Sequence, residues 1–138
     1  MPPKLQIIDE RFKLIVDPDA TMELVANGMK FAEGAAWIHY GGYLIWSDIP
    51  NNRIMSWSES HGVNIFREPS YNANGNTTDK DGNILTCETS GRRVSIARPG
   101  HLQTTLVDSY DGKPLTSPND IVVKSDGSVW FSDPDYGS

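Results

Sequence analysis

One pattern is written three times in this chain: a glycine, one residue, an apolar run, then a small residue followed by an acid. Gly42 leads into Leu44-Ile45-Trp46 and Ser47-Asp48, Gly82 into Ile84-Leu85-Thr86 and Cys87-Glu88, and Gly127 into Val129-Trp130-Phe131 and Ser132-Asp133. The glycines stand 40 and then 45 residues apart, and eight or nine residues before each comes an oxygen-bearing side chain: Glu33, Asn74 and Asn119. The third copy spells out a hairpin, because Asp126-Gly127 separates two apolar runs and glycine accepts the positive φ of a tight turn. A repeat of roughly 40–45 residues with several strands per copy is the signature of a β-propeller, each repeat making one four-stranded blade. The competing reading is three unrelated hairpins in an all-β sandwich. Agreement of so many features in register favours the propeller.

Taken in order, the chain divides into a lead over 1–30, a blade over 31–68, a second over 74–107 and a half blade over 118–138. In the lead, Leu5 to Val16 suggests a short helical turn or an irregular stretch. Asp17-Pro18-Asp19 breaks it, since proline drives the residue before it out of the helical region. Met22 to Ala26 reads as a lone strand ended by Asn27-Gly28. Within the first blade the expected strands are Phe31–Ile38, Tyr43–Asp48, Arg53–Ser58 and Val63–Phe66. Arg53-Ile54-Met55-Ser56-Trp57-Ser58 shows the alternation of a half-buried strand. In the second they are Asn74–Asp79, Asn83–Glu88, Arg92–Ala97 and Leu102–Val107. Asp111-Gly112-Lys113-Pro114 bridges to Asn119–Lys124 and Ser128–Asp133.

Two and a half blades plus a leading strand do not close a ring, which takes typically four to eight blades. Unfinished repeat faces are poorly soluble. The expectation is therefore the first half of a longer propeller. Its remainder is placed on another chain, lost by deletion, or replaced by self-association.

The net charge of −6, with a pI near 4.9, argues against nucleic acid as a partner, since phosphate contacts need lysine and arginine. It suits a cation site, though most acidic surfaces only keep a protein soluble. The single cysteine, Cys87, excludes an intrachain disulfide and a zinc cluster. His39, His61 and His101 lie far apart in expected turns and read as surface residues. Met1-Pro2-Pro3-Lys4-Leu5-Gln6-Ile7-Ile8 lacks the apolar core of a signal peptide, and no run approaches membrane-spanning length. A cytoplasmic protein with no membrane partner is expected.

The innermost strand of each blade lines a propeller's channel, so Glu33, Asn74 and Asn119, at matching points of three inner strands, should converge on the axis. One carboxylate and two amide carbonyls are the hard oxygen donors that Ca²⁺ prefers, and no imidazole or thiolate is placed for a softer metal. Any one of them alone would be a strand-end residue bonding to backbone. Three at one blade position favour a metal. Asp48, Glu88 and Asp133 read instead as acids accepting backbone N–H bonds at turns, with catalysis the minority reading. Trp37, Trp46, Trp57 and Trp130 read mostly as core between blades, and Cys87, in register with Ser47 and Ser132, as a small buried residue. Arg92-Arg93 is too short for a nucleic-acid patch.

Several runs resemble the gluconolactonase branch of the regucalcin/gluconolactonase family. They are Ala32-Glu33-Gly34, Trp46 through Ile54 (with Ser47-Asp48-Ile49-Pro50-Asn51-Asn52-Arg53), Asn74-Gly75-Asn76-Thr77, Cys87-Glu88 with Gly91-Arg92-Arg93-Val94, and Ser117-Pro118-Asn119-Asp120 through Phe131-Ser132-Asp133-Pro134. The resemblance runs from about Ile8 to Gly137. It implies a six-bladed propeller with one axial divalent cation, usually Ca²⁺ (Mg²⁺, Mn²⁺ and Zn²⁺ stay open), that hydrolyses sugar lactones. Glu33 and Asn119 match the family's metal ligands, and Asn74 the asparagine that reaches the metal or the substrate. The family's catalytic base, an aspartate of the second half, has no match here. Two departures are Ala35, where the family has proline, and Thr89, where histidine commonly follows the Cys-Glu pair. The leading expectation is a metal-dependent sugar lactonase in the parent protein. The alternatives are a self-associating half-propeller without catalysis, and a propeller that binds a ligand in its channel without chemistry.

Overall fold

The computed structural model describes residues 5–136; Met1–Lys4 and Gly137–Ser138, with the ends of the lead and of the half blade that were read there, lie outside the described residues. Two four-stranded antiparallel sheets dominate. The first is built in chain order from β1 (Ala32–Ile38), β2 (Tyr43–Asp48), β3 (Arg53–Ser58) and β4 (Gly62–Arg67). The second repeats it with β5 (Ala73–Thr78), β6 (Ile84–Glu88), β7 (Arg93–Ala97) and β8 (Thr104–Val107). A two-stranded ladder follows, β11 (Ile121–Val123) against β12 (Val129–Phe131), so the chain forms part of a propeller.

Local chemistry sets the strand ends. β2 stops where Ile49-Pro50-Asn51 forms a 3₁₀ turn with proline in its first positions, and Asn52 then takes the left-handed conformation at φ 54°. Asparagine tolerates that region better than most residues, so the chain reverses into β3 at little cost. β2 and β3 pair from Leu44 opposite Trp57 to Asp48 opposite Arg53. Both strands cover the residues expected of them, Tyr43–Asp48 and Arg53–Ser58.

The core lies between blades rather than within one. Ile38, Ile45 and Ile54 of the first sheet pack with Ala73 and Ile84 of the second. Leu85, Cys87 and Val94 of the second pack with Ile121 of the half blade. Each fully buried aliphatic side chain contributes about 1.5–3 kcal/mol. Neither sheet therefore buries its apolar face without the next one.

Three expectations change. Met22–Ala26 belongs to no ladder: residues 21–29 carry no regular structure and pair with no strand among the described residues. Trp37 and Trp130 are 45% and 65% exposed, not core, since they lie on the outward faces of β1 and of the half blade, which no further blade covers among the described residues. Trp46 is buried as expected. The bridge around Asp111-Gly112 closes into a small hairpin of its own, β9 (Ser109–Tyr110) on β10 (Lys113–Pro114). In the lead, Glu10–Leu14 forms one 3₁₀ turn capped by the Asp9 carboxylate. No helix among the described residues is long and apolar enough to cross a membrane.

Candidate functional site

The site begins with a fault in the ladder that both complete blades share. On β1 the register against β2 shifts by one residue between Glu33 and Ala36, and on β5 the register against β6 shifts between Ala73 and Asn76. A bulge of this kind holds one extra residue out of the ladder and turns its neighbours toward a new direction. The residues held out are Gly34-Ala35 on β1 and Asn74-Gly75 on β5, one residue apart in the register that matches Glu33 to Asn74.

The bulges let successive inner strands touch backbone to backbone. A Cβ on Gly34, whose φ is +62°, would sit 2.0 Å from the carbonyl oxygen of Asn74. A Cβ on Gly75 would sit 2.7 Å from the carbonyl oxygen of Asn119, to which the Gly75 N–H itself donates at 2.7 Å. Only glycine fits such an approach. The structure thus brings the three predicted residues together by strand position: Glu33 adjoins Gly34, which lies against Asn74, whose neighbour Gly75 lies against Asn119.

Their side chains differ in burial and agree in another respect. Asn74 is buried, Asn119 half-buried and Glu33 exposed. None of the three side chains makes a hydrogen bond to another described residue. Among the described residues no cluster of three or more His, Cys, Asp or Glu is placed to hold a metal ion. A cation here would therefore rest on one carboxylate and two amide oxygens, and that donor set fits a hard ion such as Ca²⁺. It would supply part of the roughly six to eight oxygens such an ion takes. Beside Glu33 a cavity of about 330 Å³ opens, walled by Leu24, Met29, Leu44 and Trp46. The Trp46 indole N–H is buried without an acceptor.

Behind these positions lies Asn76, which sequence reasoning did not single out. Its amide nitrogen lies 2.9 Å from the Gly34 carbonyl, 2.9 Å from Ser47 Oγ and 3.1 Å from the Asn74 carbonyl. Its oxygen accepts from the Thr86 hydroxyl at 2.8 Å, and Ser47 donates to the Asn74 carbonyl at 2.7 Å. A signal was available: the inner strand Ala-Asn-Gly-Asn-Thr-Thr is almost wholly polar, and buried polar groups must find partners.

The strand-end acids have the expected role in two cases and not in the third. Asp48, wholly buried, accepts from the backbone N–H groups of Lys30 and Phe31 and from Asn51 and Arg53. Burial pushes its carboxyl up, but these hydrogen bonds outweigh burial and hold it below the ordinary value. Asp133 accepts from the N–H groups of Thr116 and Ser117. Glu88 is different: it meets no backbone donor but pairs with Arg93 at 2.6 Å and lies 3.3 Å from Arg67. Cys87 is buried, and burial, with Asp120 and Asp133 nearby, pushes its thiol up to about 12. His39, His61 and His101 are exposed, as read from the sequence.

Comparison with known proteins bears on the family and the fold. Residues 31–138 match the family described as SMP-30/Gluconolactonase/LRE-like region. The gluconolactonase of Zymomonas mobilis is 32% identical over an alignment covering 97% of this chain and 42% of the relative. A solved gluconolactonase from Xanthomonas campestris superposes with a TM-score of 0.73 at 34% identity, over 77% of this chain and 36% of that one. A second solved protein, provisionally assigned as a gluconolactonase, gives 0.77 at 35% identity, over 81% and 39%. The chain thus spans well under half the length of each. On the family match and the shared partial propeller, the chain belongs to the SMP-30/gluconolactonase family.

Proposed function

We propose that the intact protein carrying these residues hydrolyses a sugar lactone with the help of a divalent cation, Ca²⁺ before Mg²⁺, Mn²⁺ or Zn²⁺. The observation that carries this reading is a set of three oxygen-bearing side chains, Glu33 on β1, Asn74 on β5 and Asn119 just before β11, none of which hydrogen-bonds to another described residue. Glu33 and Asn119 would hold the cation, and Asn74 would face it or the substrate. The chemistry a cation supplies at such a site is polarisation of a carbonyl oxygen, worth several kcal/mol of charge stabilisation. The protein's own part is to hold the backbones that carry the three donors rigidly against one another. No residue of the described chain is assigned as the catalytic base. Gluconolactonases among the relatives at 32% and 34% identity support the substrate class. The cytoplasm is the compartment we assign on the sequence reading.

The test is lactone turnover by the intact protein, followed by acid release from a glucono-type lactone. Activity that is lost in chelator and restored by Ca²⁺ is the expected result. Turnover indifferent to both chelator and Glu33→Gln would overturn the cation reading.

A second reading has its own observation. Val122 and Trp130, cross-strand partners on the half blade, are 58% and 65% exposed. A further blade would cover them, and so would a second copy of the chain. A mass measurement on the 138-residue chain tells these apart, since a strict monomer at high concentration contradicts pairing.

A further inference from the structure

We infer that Asn76 is a positioning residue for the proposed cation site: its side chain fixes the backbones that present Glu33 and Asn74 to one another across the blade boundary. The inference rests on the cation reading above and concerns a residue that is not itself a ligand.

The bulges on β1 and β5 lift backbone groups out of the ladder. A buried carbonyl freed in this way needs a donor from elsewhere. Asn76 meets that need for both blades. One amide N–H reaches the Gly34 carbonyl, next to Glu33, and the other is shared between Ser47 Oγ and the carbonyl of Asn74. Ser47 donates to the same Asn74 carbonyl, and Thr86 donates to the Asn76 oxygen. The two carbonyls decide which way the amide points, because they can only accept; the Thr86 hydroxyl then donates to the acceptor end that is left. Every hydrogen-bonding group of Asn76 is therefore engaged within the protein, and the residue is only 7% exposed.

The chemistry is specific to an amide. Two donors and one acceptor on a side chain of this length exist only in asparagine. An aspartate would set a carboxylate against two carbonyl oxygens. A leucine would fill the volume, leave the Gly34 carbonyl without this donor and leave the Asn74 carbonyl to Ser47 alone. Since the Asn74 carbonyl and the Asn74 side chain leave adjoining atoms of one residue, fixing the first orients the second. The Gly34 carbonyl belongs to the residue after Glu33, so fixing it constrains the backbone that carries Glu33. The contact distance between the strands, set by Gly34 against the Asn74 carbonyl, leaves no slack for either residue to shift alone.

The test is calorimetric titration of the intact protein with Ca²⁺, in wild type, Asn76→Ala, Asn74→Ala and the double variant, with thermal unfolding in chelator alongside. Asn76→Ala is expected to weaken binding about tenfold or more, as loss of a ligand-orienting partner typically does. In the Asn74→Ala background the same change should cost much less, because residues acting through one another are not additive. An equal loss in both backgrounds would mean that Asn76 only glues the blades together, and would overturn the inference, as would an unchanged affinity. Thr86→Val, which removes the bond that holds the acceptor end of the amide, serves if Asn76→Ala does not fold; it should weaken binding severalfold, and unchanged binding in it counts against the inference. Wild-type protein that binds none of Ca²⁺, Mg²⁺, Mn²⁺ or Zn²⁺ would instead sink the cation reading itself.

Discussion

Glu33 is an exposed carboxylate that no described residue uses, and that sets what its removal should do. Glu33→Gln is expected to leave stability in chelator within about 0.5 kcal/mol of wild type, as for a surface substitution that breaks no contact. Urea unfolding checks this, and a large loss would show a structural role instead. Cys87 makes the opposite case. With its thiol pushed up to about 12 by burial, very little thiolate exists near neutral pH. A disulfide reagent at pH 8 should leave Cys87 untouched in the folded protein and label it once the chain is unfolded. The inertness of Cys87 was legible in the sequence, because its register with Ser47 and Ser132 marked a small buried position. The partners of Glu88 were not. Arg67 comes from the end of β4 in the previous blade, and only the folded register carries it to Glu88.

At the scale of elements, the inner-strand bulges decide the most. Gly75→Ala would drive a Cβ into the Asn119 carbonyl and the Asp120 backbone, which cannot move aside as a flexible side chain would. A loss of about 1–3 kcal/mol is expected, the usual cost of overpacking, read as a fall in the urea midpoint. Asp48 ties the lead to the end of β2, and its pH dependence has a definite sign. Its folded carboxyl lies below the ordinary value of 3.8, so its contribution is full above that value and is lost as pH falls through the folded value. Asp48→Asn should destabilise the protein at neutral pH and flatten the loss of stability on the acid side below about pH 4. A variant whose acid limb matches wild type would contradict this. β2 and β3 were legible to the residue, because alternation and the Pro-Asn-Asn turn both mark their ends. The bulges were not, since a one-residue slip in pairing leaves no trace in either strand read alone. The lead segment failed for a related reason: Met22–Ala26 has the composition of a strand, but composition does not name a partner.

The molecule as a whole follows from cores shared between neighbouring blades. Because Ile84 and Ala73 pack with Ile38, Ile45 and Ile54, and Ile121 with Leu85 and Val94, each blade's apolar face is finished by the next. The same arrangement aligns equivalent points of successive inner strands, so a residue type repeated at one blade position becomes a cluster in space. That is why the period of the sequence foretold the fold, and with it which inner-strand segments lie against one another. The fixings behind the site, Asn76 above all, needed coordinates, because their partners lie 29 and 42 residues away on another blade.

The central claim is that Glu33, Asn74 and Asn119 hold a divalent cation. Its most direct test is a Ca²⁺ binding isotherm for the intact protein beside that of Glu33→Gln. Saturable binding in wild type that is lost or greatly weakened in the variant is the result predicted here. Superimposable isotherms for the two proteins would contradict it.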